Sequence, residues 1–194
     1  MKKQNYILPI FLIFTFVSGQ SVRQSNLILS ANVSGTHQLS ILGTTQDNGV
    51  DMGFSGTLEG DFYKVENVSI GIGSEFMLER ELEDNLGGIK FTNSFFGTLK
   101  ILMSSPESSK VYAKARLGYA RPKGNKDYEG DGLVTYNGGL SYGLGGEIYF
   151  SSKNFIEILY LNYSGDVGLY DIDYGSFDID VKHSHLNIGF GITL

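Results

Sequence analysis

The last ten residues, His185 to Leu194, constrain this chain more than any other stretch. Taken at alternate positions, Leu186, Ile188, Phe190, Ile192 and Leu194 form one file, and His185, Asn187, Gly189, Gly191 and Thr193 form the other. One file is wholly apolar; the other is small or polar. Because side chains alternate between the two faces of a strand, this pattern predicts a wall with lipid on one side and a narrow polar interior on the other. Lipid cannot satisfy the open edge of a sheet, so the last strand is expected to close on the first.

The N-terminus fits export. Lys2 and Lys3 precede an apolar run from Ile7 to Val17, followed by the small residues Ser18 and Gly19, the make-up of a secretory signal. That run is too short for a spanning helix. Cleavage is expected after Gly19, which divides the chain into a signal peptide, residues 1–19, and a barrel domain, residues 20–194. There is no Cys, which excludes a disulfide framework, a thiolate metal site and a lipid anchor on an N-terminal Cys. The net charge of −6 becomes more negative once Lys2 and Lys3 are removed, and such a domain is a poor partner for nucleic acid. Strands and tight interior packing use Gly and aromatic residues, and the chain has 26 Gly, 12 Tyr and 13 Phe.

Seven earlier stretches carry the same alternation less cleanly: about Leu27 to Leu42, Val50 to Tyr63, Val68 to Glu79, Ile89 to Met103, Val111 to Ala120, Tyr136 to Phe150 and Phe155 to Gly165. Several residues break step. Gly35 and His37 interrupt an apolar file, Asn93 and Phe96 fall on the wrong faces, and Leu159 and Leu161 share a face with Glu157. The connections differ in kind. Lys64 to Asn67, Ser104 to Ser109 and Ser151 to Asn154 are short, whereas Arg80 to Gly88, Arg121 to Gly132 and Asp166 to Asp178 are longer and charged. A brief turn over Thr44 to Gly49, ending Asp47-Asn48-Gly49, is expected to reverse the chain after the first strand. The fold expected is therefore all-β: an eight-stranded antiparallel up-and-down transmembrane β-barrel, with short periplasmic turns, longer extracellular loops and both termini in the periplasm. A water-soluble barrel would place Gly71, Gly73, Gly139, Gly143, Gly145, Gly189 and Gly191 on an exposed strand face, which suits them poorly.

From Gln20 to Leu194 the chain resembles the small outer-membrane barrel family that includes outer membrane proteins A and X and the neisserial opacity proteins. The most specific part of the likeness is the C-terminal assembly signal, matched by Asn187, Gly189, Ile192 and Leu194. The final residue departs from it, being Leu where bacterial members commonly have Phe or Trp. The resemblance implies a cell outer membrane location, outer-membrane lipid as surroundings, and recognition by the barrel-assembly machinery through the last strand. It does not choose a function, because the family includes adhesins, pores, anchors and a few lipid-modifying enzymes.

Pointed inward, the polar files bring Glu59, Asp61, Glu75, Lys90, Lys100, Lys114, Arg116, Glu147 and Glu157 into one lumen. The turn about Ser152 sets Glu147 opposite Glu157, a carboxylate pair that can split its pKa values for acid–base work. An ion-pair network of Glu59, Glu75, Lys100, Lys114, Arg116, Glu147 and Glu157 that fills the barrel is the stronger expectation, since an eight-stranded interior is only wide enough for side chains. His183 and His185 share a face near Asp166, Asp171, Asp173, Asp178 and Asp180, but without the spacing of a defined metal site. His37 with Ser34 or Ser40, and Ser184 between two His, are the nearest serine–histidine pairings, and alternation places each pair on opposite faces. Phe62 and Phe150 near the short turns, with Tyr119 and Tyr136 near the long loops, resemble two aromatic girdles. The function expected is that of a monomeric, non-catalytic barrel with a plugged interior and no cofactor, structural or surface-interacting through its three longer loops, with a partner the sequence does not identify. A small pore or transport barrel for hydrophilic or amphipathic solutes is the alternative, with a lipid A-modifying enzyme ranked behind it.

Overall fold

The computed structural model describes residues 24–41, 43–81, 88–106, 109–123, 134–171 and 175–194; the signal segment lies outside them. Every element among these residues is a strand: β1 (Gln24–Ile41), β2 (Thr44–Val50), β3 (Gly53–Val65), β4 (Val68–Met77), β5 (Arg80–Glu81), β6 (Gly88–Ser104), β7 (Lys110–Lys123), β8 (Val134–Tyr149), β9 (Asn154–Asp171) and β10 (Gly175–Thr193). Each pairs antiparallel with its neighbours, and β10 also pairs with β1, so the sheet closes on itself. Both β2 and β3 pair with β1, and both β4 and β5 pair with β6. Taken as one wall position each, these pairs leave an eight-stranded barrel.

Closure runs from Asn26 opposite Thr193 to Ser40 opposite Asp180. On β10, Ile188, Phe190 and Ile192 are exposed on the outside, while Asn187, Gly189 and Gly191 are buried inside. The same alternation holds around the ring. Leu29, Phe54, Leu58, Ile72, Phe76, Leu99, Leu117, Leu144, Ile158 and Phe190 all lie on the outer surface, each over a third exposed. Adjacent strands thus carry one continuous apolar belt, far larger than the few hundred Å² that a water-soluble monomer leaves bare. The exterior is a lipid-facing wall.

The residues that broke step have a physical reason. On β1 the register shifts between Val33 and Gly35, and Ser34 sits at φ +50°. The extra residue swaps the two faces. Below it Asn26, Ser30 and Asn32 point inward; above it His37 is buried and Leu39 packs on the interior. Thr36, Gln38 and Ser40 are therefore not lumen residues. A second shift, between Gly138 and Ser141 on β8, turns Tyr136 to the face of its partner Val167, which packs inside, so Tyr136 does not join an outer girdle. A third, between Asp61 and Tyr63, leaves Phe62 half-buried and exposes Tyr63 in its place. A further register shift lies between Thr92 and Phe95, and the side chain of Asn93 is outside the described residues.

Two expected loops are largely ladder. Thr44 to Gly49 is no turn: as β2 it pairs with Gly35 to Ile41, and the chain reverses beside Gly43, whose φ of +85° suits glycine. Similarly, β9 runs up to Asp171 and β10 begins at Gly175, so most of Asp166 to Asp178 is hydrogen-bonded strand. The expectation failed because these ladders stand above the belt, where outward side chains need not be apolar. At the other end the turns are as short as expected, with Glu66 and Asn67 alone joining β3 to β4.

Ile188 and Lys182 share the outer face of β10, one in the belt and the other above it. Replacing Ile188 with Lys should cost about 2–4 kcal/mol if it lies near the bilayer midplane. Lys182→Ile should stay within about 0.5 kcal/mol. Denaturant unfolding of both variants in lipid vesicles checks this, and equal losses would contradict the placement of the belt.

Candidate functional site

The lumen holds the site. Its polar residues sit at every second position, so Lys114 and Arg116 on β7 enter together, as do Glu59 and Asp61 on β3. All seven residues of the expected network are buried and meet in one layer. Lys114 is its hub: Nζ donates to Glu59 Oε2 at 2.7 Å, Glu147 Oε1 at 2.6 Å and Glu157 Oε2 at 2.5 Å. All three ammonium donors are thereby used. Arg116 Nη2 donates to both oxygens of Glu157 at 2.9 Å, and its guanidinium lies 4.5 Å from the centre of the Phe96 ring. Lys100 Nζ is 2.6 Å from Glu59 Oε1 and 3.3 Å from Asp61 Oδ1. Glu75 accepts from Ser55 Oγ at 2.8 Å and from the Tyr163 hydroxyl at 2.9 Å, with Arg116 Nη1 3.6 Å away.

Glu147 and Glu157 are directly opposite in the ladder, but the Lys114 ammonium stands between them. They act as its ligands, a role that opposes use as a free acid–base pair. Buried charges are tolerated when each has partners, and every member of this layer has them. The side chain of Lys90 lies outside the described residues.

Apolar side chains on the polar file also enter the lumen. Phe96, Leu159 and Leu161 point inward, and Phe155 does so lower down. Three of them fit because a glycine faces each: a Cβ on Gly73 would strike the Phe96 ring, one on Gly143 would strike Leu161, and one on Gly191 would strike Phe155. The interior is thus layered. Ile28, Tyr112, Tyr149 and Phe155 pack below the charges, while Met77, Leu159, Leu161 and Tyr163 belong to a cluster above them. Under all of this, at the short-turn end, a vestibule of about 490 Å³ opens and reaches as far as Asp61 and Lys100.

Near the long-loop end lies a group that sequence reasoning saw only in part, placing His183 and His185 on one face but not joining His37 and Arg80 to them. His37, His183 and His185, the only histidines of the chain, are all buried there with Arg80. His37 is opposite His183 across the closing ladder. Arg80 was expected in an outer loop. Instead β5 continues the wall and Arg80 turns into the lumen, over Gly53, where any Cβ would collide with its stem. The break at Gly35 and His37 was the signal that could have found this group, had it been read as a bulge.

No family model matches the chain, and no curated relative does. Solved structures do match. Neisserial surface protein A is 13% identical, with 87% of this chain and 96% of that one covered at a TM-score of 0.51. The outer membrane protein OprG of Pseudomonas aeruginosa is 11% identical, with 88% and 96% covered at 0.54. The outer membrane protein AlkL is 14% identical, with 88% and 90% covered at 0.51. The chain has the fold of the small outer-membrane β-barrels.

In this outer-membrane barrel fold the remaining candidates are placed as follows. Asp166 accepts a hydrogen bond from Asn137 Nδ2 at 2.6 Å, and Asp178 and Asp180 are exposed on the rim, so these aspartates do not join the histidines. The side chains of Asp171 and Asp173 lie outside the described residues. Ser34 is exposed at its bulge, and Ser40 Oγ lies 3.0 Å from Thr45 Oγ1 on the face opposite His37. Ser184 alternates with its two His neighbours and so faces the other way. In the C-terminal motif, Asn187 Nδ2 donates to Ser30 Oγ at 3.3 Å, and the Leu194 amide donates to the Ser25 carbonyl at 2.8 Å. Gly189 lies opposite Ser30, and Ile192 faces outward.

Replacing Lys114 with Met strips three buried carboxylates of a shared cation. The expected loss is about 3–5 kcal/mol. Adding Glu147→Gln to Lys114→Met should recover part of it, because one unpaired charge is removed. Equilibrium unfolding of the two variants against wild type, in the same lipid, measures both effects.

Proposed function

We propose that this protein is an outer-membrane barrel with a plugged polar interior, exported by a cleaved signal peptide, that works as a structural or surface-interaction protein through its outer end. The observation that carries the reading is the Lys114 hub. It ties β3, β7, β8 and β9 together across the lumen, which supports the reading of a plugged interior. With the interior committed to packing, recognition falls to the loops and rim carried by a rigid scaffold. Of the three loops expected to do this, residues 82–87, 124–133 and 172–174 lie outside the described residues. The surroundings are outer-membrane lipid, the last strand is the segment offered to the assembly machinery, and the barrel acts as a monomer without catalytic role or cofactor.

The second reading, a small pore for hydrophilic or amphipathic solutes, is favoured by the vestibule. That opening already reaches from the short-turn end to Lys100, and the charge layer and the apolar cluster above it would have to yield for a solute to pass. Conductance in planar bilayers separates the two. Purified protein should be silent across applied voltages of either sign; steady open channels in wild type would establish the pore instead.

A further inference from the structure

The group near the long-loop end is not part of the charge layer. Arg80 is 3% exposed, and its Nη2 meets three groups that offer lone pairs: His183 Nε2, His185 Nδ1 at 3.2 Å and Met77 Sδ at 3.7 Å. None of them is a carboxylate. A guanidinium only donates, so both imidazoles must present an unprotonated nitrogen to it and carry their proton on the other one. Two nitrogens and a thioether sulfur, supplied by β4 and β10, therefore converge on one cationic point.

We propose that His183, His185 and Met77 form a binding site for a soft transition metal, copper in class, and that Arg80 fills this site when no metal is bound. Carboxylate and carbonyl oxygens suit calcium or magnesium, whereas imidazole with a thioether suits copper, above all Cu⁺. The ring spacing fits. The centroids of His183 and His185 are 5.2 Å apart, and two imidazoles sharing a tetrahedral ion at about 2.0–2.1 Å hold their centroids roughly that far apart. His37 stands beside the pair, its ring 5.9 Å from that of His183 and its Nδ1 buried without a hydrogen-bond partner. Exchange of the guanidinium for Cu⁺ leaves the charge of the lumen unchanged. Arg80 also sits on β5, a two-residue strand, so its withdrawal disturbs little of the ladder.

The test uses the full barrel, refolded in detergent and stripped with a chelator. Cu⁺ is titrated against a chromophoric competitor, with bound metal counted by elemental mass spectrometry. Wild type should bind a single Cu⁺ per chain. Arg80→Gln, which removes the competing cation, should bind about tenfold tighter or better. Met77→Leu, close in volume, should bind Cu⁺ about tenfold more weakly or worse while its affinity for Zn²⁺ is little changed. His183→Ala combined with His185→Ala should abolish Cu⁺ binding, with β-type circular dichroism confirming that each variant is folded. The proposal is overturned if wild type binds no copper, if only Arg80→Gln binds it, if binding survives loss of both histidines, or if Met77→Leu binds as wild type does.

Discussion

Everything in this molecule depends on the ladder between its first and last strands. A sheet in hydrocarbon has no water to satisfy its edge amides and carbonyls, so the wall can exist only as a ring. Pairing from Asn26–Thr193 to Ser40–Asp180 supplies that closure, and the Leu194 amide extends it to Ser25. Once the ring is closed at eight strands its diameter is set. An eight-stranded ring leaves an interior just wide enough for side chains to occupy.

Two kinds of filling alternate along the axis. Charged residues are arranged so that each cation serves several carboxylates, with Lys114 as the point where β3, β8 and β9 meet. Aromatic and aliphatic residues pack above and below it, and surroundings of low polarity strengthen the ion pairs they adjoin. Glycine on one strand admits a bulky residue on the next, as Gly143 does for Leu161. The glycine content is thus a requirement of interior packing and not a sign of loose chain.

The lipid-facing half of the barrel was legible from sequence because lipid imposes a strict rule on every second residue. Ile188, Phe190 and Ile192 could be assigned an outward face from their spacing alone, and the opposition of Glu147 to Glu157 followed from counting back around Ser152. What the spacing could not reveal was the insertion of single residues. Ser34 swaps the faces of β1 above it, so His37 looked misplaced on an apolar file when it is buried with the other two histidines. Leu159 and Leu161 were ambiguous for another reason: an interior with apolar layers has no uniform polarity, so inward residues need not be polar. Above the lipid the rule lapses altogether, and the ladder of β2 read as a turn because Asp47, Asn48 and Gly49 favour turns wherever nothing overrides them.

The strands are longer than a membrane requires. A span takes about 9–11 tilted residues, whereas β1, β9 and β10 run for 18, 18 and 19. At about 3.3 Å per residue, the excess raises this side of the wall roughly 20 Å beyond the hydrocarbon, allowing for tilt. The raised part is built of ladders, with β2 laid against β1 along one of its edges. A protease must draw an unpaired stretch of backbone into its cleft, and among the described residues this crest is mostly paired strand. Its height therefore comes without the vulnerability to cleavage of a loop of equal reach, and its backbone has already surrendered the freedom that a loop would lose on meeting another surface.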